Sequence, residues 1–118
     1  MKQKIPTPVA YLRRKYLNLK GVRKRQVPRM AWEITSEDLI ELWNKQAGRC
    51  SVTNLHMTHF ADGGWTNCSP DRIDNSKGYI SGNIRLVCHS VNRMKSTMTE
   101  SEFEFWVKSI ASGIRDNE

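Results

Sequence analysis

The apolar positions near the start of the chain recur at the spacing of an amphipathic helix. They are Val9, Leu12, Tyr16 and Leu19. Basic and polar residues fill the positions between them, so the pattern predicts a helix with one apolar face. Gly21 is placed to end this helix, and residues 21–30, which include Pro28, are typical of a basic linker.

Two further helices follow from apolar spacing and end signals. One begins at Thr35 or Ser36, either of which can act as the N-cap, and ends at Gly48. The other begins with the capping box of residues 99–102. Their apolar stripes are Leu39, Ile40, Leu42, Trp43 and Ala47 in the first, and Phe103, Trp106, Val107 and Ile110 in the second.

The region between these two helices predicts a small amount of sheet. Residues 49–70 are rich in turn formers, and Arg72-Ile73 and 84–87 read as two short strands. A polar turn region, 74–83, separates the strands, and 87–95 predicts a short helix. We expect an α+β fold with few strands.

Charge divides the chain into two parts. The 118 residues carry a net charge of +7 and suffice for one compact domain with an appended element. Residues 1–32 hold ten bases and no acid, whereas residues 33–118 hold nine bases against twelve acids. We therefore predict a basic N-terminal helix and linker over 1–32, seeking a polyanion, and a mildly acidic domain over 33–118.

Composition also excludes some classes of protein. No apolar run approaches the ~20 residues that a bilayer span needs, so no membrane partner is expected. The three cysteines are an odd number without dense disulfide spacing, which favours the reducing cytoplasm. Trp32, Trp43 and Trp106 are predicted to lie in the core rather than to act as base-stacking platforms, whereas Trp65 could be either.

The segment from Ser69 to Ser96 concentrates the candidate chemistry. Asp71 and Asn92 carry oxygen ligands of the kind that Mg²⁺ accepts, and Mg²⁺ keeps much of its shell for water and phosphate. If the strands form a hairpin and the helix folds across it, both could reach one ion. The spacing alone equally allows an ordinary strand-end carboxylate and a solvated helix residue.

The same segment resembles the ββα-metal core of HNH endonucleases, in the variant common in small phage-encoded members. The matching residues are Asp71-Arg72-Ile73-Asp74, Lys77-Gly78-Tyr79, Asn83, Leu86-Val87-Cys88, Asn92 and Lys95, with Gln46-Ala47-Gly48-Arg49-Cys50 and Thr53 upstream. The resemblance extends from about Thr35 to Ile110. It implies two strands and a helix around a catalytic Mg²⁺ or Mn²⁺ ion.

The resemblance also assigns roles to individual residues. Asp71 and Asn92 would bind the metal, and Asn83 would pin the loop between the strands. Arg72 stands where the family usually has the histidine that acts as general base. Arginine cannot accept a proton near neutral pH, but it can bind the scissile phosphate.

The proton of the attacking water must therefore go elsewhere. Asp74 and His89 are the candidates within the motif, and His56 and His59 lie in the turn-rich loop before it. A metal-bound hydroxide or bulk solvent could serve equally. The sequence does not choose among them.

Many HNH proteins bind structural zinc through two Cys-x-x-Cys knuckles. Here Cys50 and Cys88 each stand without the second cysteine of the knuckle, and the position of Cys68 offers no replacement. Because zinc requires four ligands, we expect no structural zinc and predict that Cys50 and Cys88 are small buried residues.

The leading hypothesis from the sequence is a Mg²⁺-dependent endonuclease that hydrolyses or nicks double-stranded DNA. Candidate phosphate-binding residues are Arg13, Arg14, Lys15, Arg23, Lys24 and Arg25 in the basic segment, and Arg93 and Lys95 in the motif helix. Two alternatives are a catalytically inactive DNA-binding module on the same fold and a phage protein that binds a host protein. The sequence leaves the oligomeric state open.

Overall fold

The computed structural model describes residues 5–26 and 29–117, and over these residues the chain forms an α+β fold. Its elements are α1 (Pro8–Lys24), α2 (Ser36–Lys45), β1 (Cys68–Arg72), β2 (Ile84–Cys88), α3 (His89–Lys95) and α4 (Glu100–Asp116). The two strands pair antiparallel as a hairpin. The predicted α+β class with few strands is thus confirmed.

Helix α1 is longer than its sequence predicted. The Thr7 side chain caps its first turn by accepting a hydrogen bond from the backbone N–H of Ala10 at 3.1 Å. The prediction that Gly21 ends the helix is wrong, because Gly21 keeps a helical backbone and the helix continues to Lys24. Residues 22–24 favour helix well enough to offset one glycine. Part of the expected basic linker is therefore helical.

One face of α1 packs into the core of the protein. Leu12 is fully buried, and the hydroxyl of buried Tyr11 donates a 2.8 Å hydrogen bond to the carbonyl of Cys68 in β1. Helix α1 also packs against α2. Val9, at the start of the predicted apolar stripe, is exposed instead. The hydrogen bond of Tyr11 thus holds the basic helix against the hairpin.

Both capping predictions for α2 and α4 are confirmed. Thr35 and Thr99 are the N-caps, and each forms a capping box with the acidic residue three positions later. The expectation that Trp106 lies in the core is wrong, since its side chain is 54% exposed. Helix α4 buries Phe103 and directs most of its apolar stripe to solvent.

The hairpin begins earlier in the chain than predicted. The register pairs Cys68 with Cys88 and Arg72 with Ile84, so β1 precedes the expected Arg72-Ile73 strand. Pro70 lies inside β1, which a two-stranded sheet tolerates because one edge of each strand is unpaired. Helix α3 follows β2 directly and packs across both strands.

The three cysteines belong to the buried core. The predicted burial of Cys50 and Cys88 is confirmed, and the Cys50 sulfur accepts a hydrogen bond from the backbone N–H of Cys88 at 3.3 Å. Burial raises the pKa of the Cys68 thiol to about 12, so this thiol is protonated at neutral pH. Each cysteine fills core volume beside the hairpin.

The chain entering α2 is held against the loop between the strands. The backbone N–H of Tyr79 donates to the carbonyl of Ala31 at 2.9 Å, and the N–H of Glu33 donates to the carbonyl of Tyr79 at 2.8 Å. A Cβ on Gly78 would lie 2.1 Å from the Ala31 carbonyl oxygen. Glycine is therefore required at 78 by the close approach of two backbones.

We expect Gly78→Ala to destabilise the protein by about 2–3 kcal/mol, because the two backbones must separate to admit the methyl group. Urea denaturation measures this change. Gly21→Ala is the matched control, since a Cβ there meets open space in a helix and should leave stability equal or higher. Equal stability of Gly78→Ala and the wild type would contradict the account of this contact.

None of the described helices combines the length and the apolar character that crossing a bilayer requires.

Candidate functional site

The structure brings Asp71 and Asn92 to one groove. A cavity of about 310 Å³ lies between α1 on one side and β1 with α3 on the other. Its lining residues are Lys15, Asn18, Leu19, Val22, Arg23, Ser69, Pro70, Asp71, Arg72, Asn75, Tyr79, Asn92 and Ser96. Three of these side chains are cationic and one is anionic, so the groove favours a polyanion.

The order of the elements explains why the two residues meet. Asp71 lies near the end of β1, and α3 starts immediately after β2, so the helix turns back across the hairpin. The Asn92 side-chain amide donates to the hydroxyl of Ser69 at 2.8 Å. Its side-chain oxygen accepts no hydrogen bond from the described residues. Ser69 thus holds the Asn92 amide in place at the groove.

Asp71 is the centre of a charge cluster. Its carboxylate accepts hydrogen bonds from the Arg85 guanidinium at 2.9 Å and from the Lys95 ammonium at 3.3 Å. Arg85 also forms a two-pronged ion pair with Glu100, at 2.6 and 2.8 Å. Burial works to lower the pKa of Arg85, but the hydrogen bonds to Glu100 and Asp71 outweigh it and raise that pKa.

Lys95 does not contact solvent. Its side chain is fully buried, and its ammonium group also donates to the backbone carbonyls of Arg72 and Ile73. The expectation that Lys95 contacts a DNA phosphate is therefore corrected. Its charge is used inside the protein to hold Asp71 and the end of β1.

The residues of the groove include oxygen donors of the kind that a hard divalent cation accepts. Both carboxylate oxygens of Asp71 already accept hydrogen bonds, Oδ1 from Lys95 at 3.4 Å and Oδ2 from Arg85 and Lys95, and Asn92 adds a neutral oxygen. A carboxylate and an amide oxygen that line one cavity suit Mg²⁺ or Mn²⁺, which keeps the rest of its shell for water and phosphate. Lys95 and Arg85 reduce the attraction of Asp71 for such an ion.

Arg72 lines the groove beside Asp71. One nitrogen, Nη1, donates to the carbonyls of Asn75 and Lys77 at 3.1 Å each and to the sulfur of Met30. The guanidinium carbon lies 5.4 Å from the centre of the Tyr79 ring. These contacts fix the orientation of a permanent positive charge next to Asp71.

Asn83 makes the contacts that the resemblance implied. Its side-chain oxygen accepts from the backbone N–H of Asp74 at 2.9 Å, and its amide donates to the carbonyls of Asp74 and Gly78 at 3.1 and 2.9 Å. Asn83 is buried, so these bonds join the two ends of the loop between the strands. Through that loop it positions Arg72.

The candidate proton acceptors of the motif lie outside the groove. Asp74 lines a separate cavity beside the start of α4, and hydrogen bonds from Ser76 to its carboxylate lower its pKa. His89 lines a neighbouring cavity that shares Lys15 and Asn18 with the groove, and its ring centre lies 6.2 Å from that of Trp65. Neither Asp74 nor His89 is among the residues that line the groove.

The two histidines of the turn-rich loop are also elsewhere. His59 shares a 2.8 Å hydrogen bond with the carbonyl of Pro6 and packs edge-on against Trp43. His56 is exposed and forms a backbone bridge with Arg49. Among the described residues, no histidine lines the groove.

The basic residues of α1 and its C-cap differ in their surroundings. Lys15 and Arg23 line the groove. Arg13 forms an exposed ion pair with Glu37 at 2.9 Å, which occupies it within the protein, and the Lys20 ammonium lies 5.7 Å from the centre of the Tyr16 ring. Arg14, Lys24, Arg25 and, on α3, Arg93 are exposed.

Sequence reasoning missed several residues that organise this site. Arg85 and Glu100 were not singled out, although their opposite charges could have been paired once Asp71 was placed across from Arg85. Tyr79 was noted only as part of the resemblance, yet its ring contacts Arg23 at 5.0 Å as well as Arg72. Helix α1 supplies the second wall of the groove, and no sequence signal indicated this packing.

Comparisons with family models, curated proteins and solved structures find no match to this chain. Its resemblance to HNH endonucleases therefore stays a prediction.

Proposed function

We propose that this protein is a divalent-metal-dependent DNA endonuclease of the HNH type, which hydrolyses phosphodiester bonds in the groove between α1 and the hairpin. One observation carries the proposal. Asp71 and Asn92, distant in sequence, open onto one cavity together with the cations Lys15, Arg23 and Arg72. Oxygen donors for a metal beside cations for a phosphate are the elements of phosphodiester hydrolysis.

Asp71 and Asn92 would hold Mg²⁺ or Mn²⁺, which when bound stabilises the negative charge that develops on the phosphate and the leaving oxygen. Arg72 binds a non-bridging phosphate oxygen through the nitrogens that its protein contacts leave available. Lys15 and Arg23 hold the flanking phosphates against the opposite wall. Lys95 and Arg85 hold the Asp71 carboxylate in one orientation through their hydrogen bonds.

Hydrolysis requires that a water oxygen bond to phosphorus, that the bond to the leaving 3′ oxygen break, and that protons move between water and the leaving oxygen. The groove opens to solvent and, within the described chain, presents no histidine. Bulk water is therefore the proton acceptor that this geometry favours.

We expect His89→Ala to cut DNA at a rate within about twofold of the wild type, since a true general base contributes 10²–10⁴-fold. Burial, with the charges of Lys15 and Arg93, lowers the pKa of His89. If His89 were the general base, the rate of cutting would increase as the pH rises through the pKa of His89. That pKa lies below the ordinary histidine value of about 6.5. Plasmid cutting from pH 5 to 9 measures this, and loss of that rise in His89→Ala would identify His89 as the base.

The experiment that tests the function is conversion of supercoiled plasmid to nicked and linear forms. Wild-type protein should cut with Mg²⁺ or Mn²⁺ and not with excess EDTA. The test variant is Asp71→Asn, which keeps the shape of the side chain and should lose cutting, with circular dichroism used to check that it remains folded without the carboxylate partner of Lys95. Intact plasmid with every divalent metal, or equal cutting by Asp71→Asn, would refute the proposal.

A second candidate is a non-catalytic DNA-binding module on the same fold. The ion pairs of Asp71 with Lys95 and Arg85 favour it, because they already balance the charge that a metal would need. Salt-sensitive binding of duplex DNA without cutting would support this second function.

A further inference from the structure

We propose that a second cavity, next to the groove, is a subsite for one unpaired nucleotide of the DNA strand. It lies between the C-terminal half of α1 and residues 29–32 and has a volume of about 240 Å³. Its lining residues are Lys20, Arg23, Lys24, Gln26, Arg29, Met30, Trp32 and Tyr79. The proposal rests on the proposed function for the ligand, DNA, and for a phosphate at Asp71 and Asn92.

The charge of this cavity selects an anion. Four of its eight lining side chains are cationic, and no carboxylate is among them. The Arg23 guanidinium donates to the Tyr79 hydroxyl at 2.8 Å, while its buried Nε–H has no partner among the described residues. These positive charges stand close together without an acidic counterpart, an arrangement that a phosphate would stabilise.

The walls of the cavity suit a planar base. Trp32 is only partly buried and supplies the accessible aromatic surface, while the Tyr79 ring, 3% exposed, packs against it with centres 4.9 Å apart. The Arg23 guanidinium lies against Tyr79, and Met30 adds an apolar surface. Aromatic and guanidinium faces stack on any base without reading its identity.

The position of the cavity connects it to the groove. Arg23 and Tyr79 line both cavities and form the wall between them. A strand with one phosphate at Asp71 and Asn92 can thus place its neighbouring nucleotide beside Trp32. A base inside a duplex is stacked and paired, so only an unpaired or flipped base could enter.

Fluorescence anisotropy in EDTA tests the subsite without depending on metal or cutting. The probes are three labelled DNAs with the same flanking sequence: a fully paired duplex, the duplex with a single-thymine bulge, and the duplex with an abasic bulge. The wild-type protein should bind the thymine bulge about tenfold more tightly than the paired duplex, and the abasic bulge should lose this gain.

Trp32→Leu keeps an apolar side chain but removes the stacking face, and should abolish the preference while duplex binding persists. Trp65→Leu is the matched control, because Trp65 is 68% exposed and lies outside this cavity. Lys24→Ala should weaken binding of all three probes by a similar factor. Circular dichroism confirms that each variant is folded.

Equal affinity of the wild type for the three probes, or a preserved preference in Trp32→Leu, would overturn the subsite. Binding that favours the thymine bulge in a protein that never cuts would refute only the nuclease function. Cutting of plasmid by a protein without that preference would refute only the subsite.

Discussion

Asp71→Ala is expected to lower the free energy of unfolding by about 3–5 kcal/mol, the cost of removing one partner from a buried ion pair. Lys95 is fully buried and would lose the one carboxylate that it contacts among the described residues, while Arg85 would retain its ion pair with Glu100. Urea denaturation followed by circular dichroism measures the loss. This stability effect also means that Asp71→Ala alone is a poor test of catalysis.

A double-mutant cycle makes the prediction specific. Adding Lys95→Met to Asp71→Ala removes the stranded charge and should recover about 1–3 kcal/mol of the loss. Glu37→Ala is the control, since the exposed Arg13–Glu37 pair should contribute little. Lys95→Met could instead lower the stability of Asp71→Ala by as much as it lowers the stability of the wild type. The two side chains would then be energetically independent, and the account of the cluster would be wrong.

Arg72→Ala is expected to lower the rate of plasmid cutting by about 10²–10³-fold, the effect of deleting one donor that stabilises transition-state charge. The structure holds the Arg72 guanidinium at the groove through Tyr79 and the loop carbonyls. Arg72→Lys keeps the positive charge but lacks the planar guanidinium. It should cut plasmid at a rate between those of the wild type and Arg72→Ala.

The control for Arg72 is Lys77→Ala, which removes an exposed cation from the same loop and should cut normally. Anisotropy in EDTA should show that Arg72→Ala still binds DNA, because Lys15 and Arg23 remain in the groove. Cutting by Arg72→Ala at the wild-type rate would exclude Arg72 from the chemistry.

Local signals in the sequence predicted much of the secondary structure. The capping boxes at Thr35 and Thr99 and the helical spacing after them have causes within a few residues, and both helices form. The strand β1 was harder, because Pro70 and Asp71 are poor strand formers and their place is set by pairing with β2. The extension of α1 beyond Gly21 was missed for a similar reason, since one glycine weakens a helix without ending it.

Tertiary packing determines the positions of Lys95, Trp106 and α1, which the local sequence signals did not predict. Lys95 was expected at the DNA surface, but α3 lies across the hairpin and directs its ammonium group onto Asp71. Trp106 was expected in the core because it follows the apolar stripe of α4, yet within the described chain little packs against that stripe. The basic charge of α1 was visible at once, whereas its position as a wall of the groove depends on Tyr11 and Leu12.

The central claim is that Asn92 and Asp71 act together at the groove, and the rate of plasmid nicking by Asn92→Ala tests it most directly. Within the described part of the chain the Asn92 side chain makes one hydrogen bond, to Ser69, so its removal should cost little stability. The control is Met94→Ala, at an exposed position on the same helix. We predict that with Mg²⁺ Asn92→Ala nicks about 100-fold more slowly than the wild type, while Met94→Ala is unchanged. Nicking by folded Asn92→Ala at the wild-type rate would contradict the account.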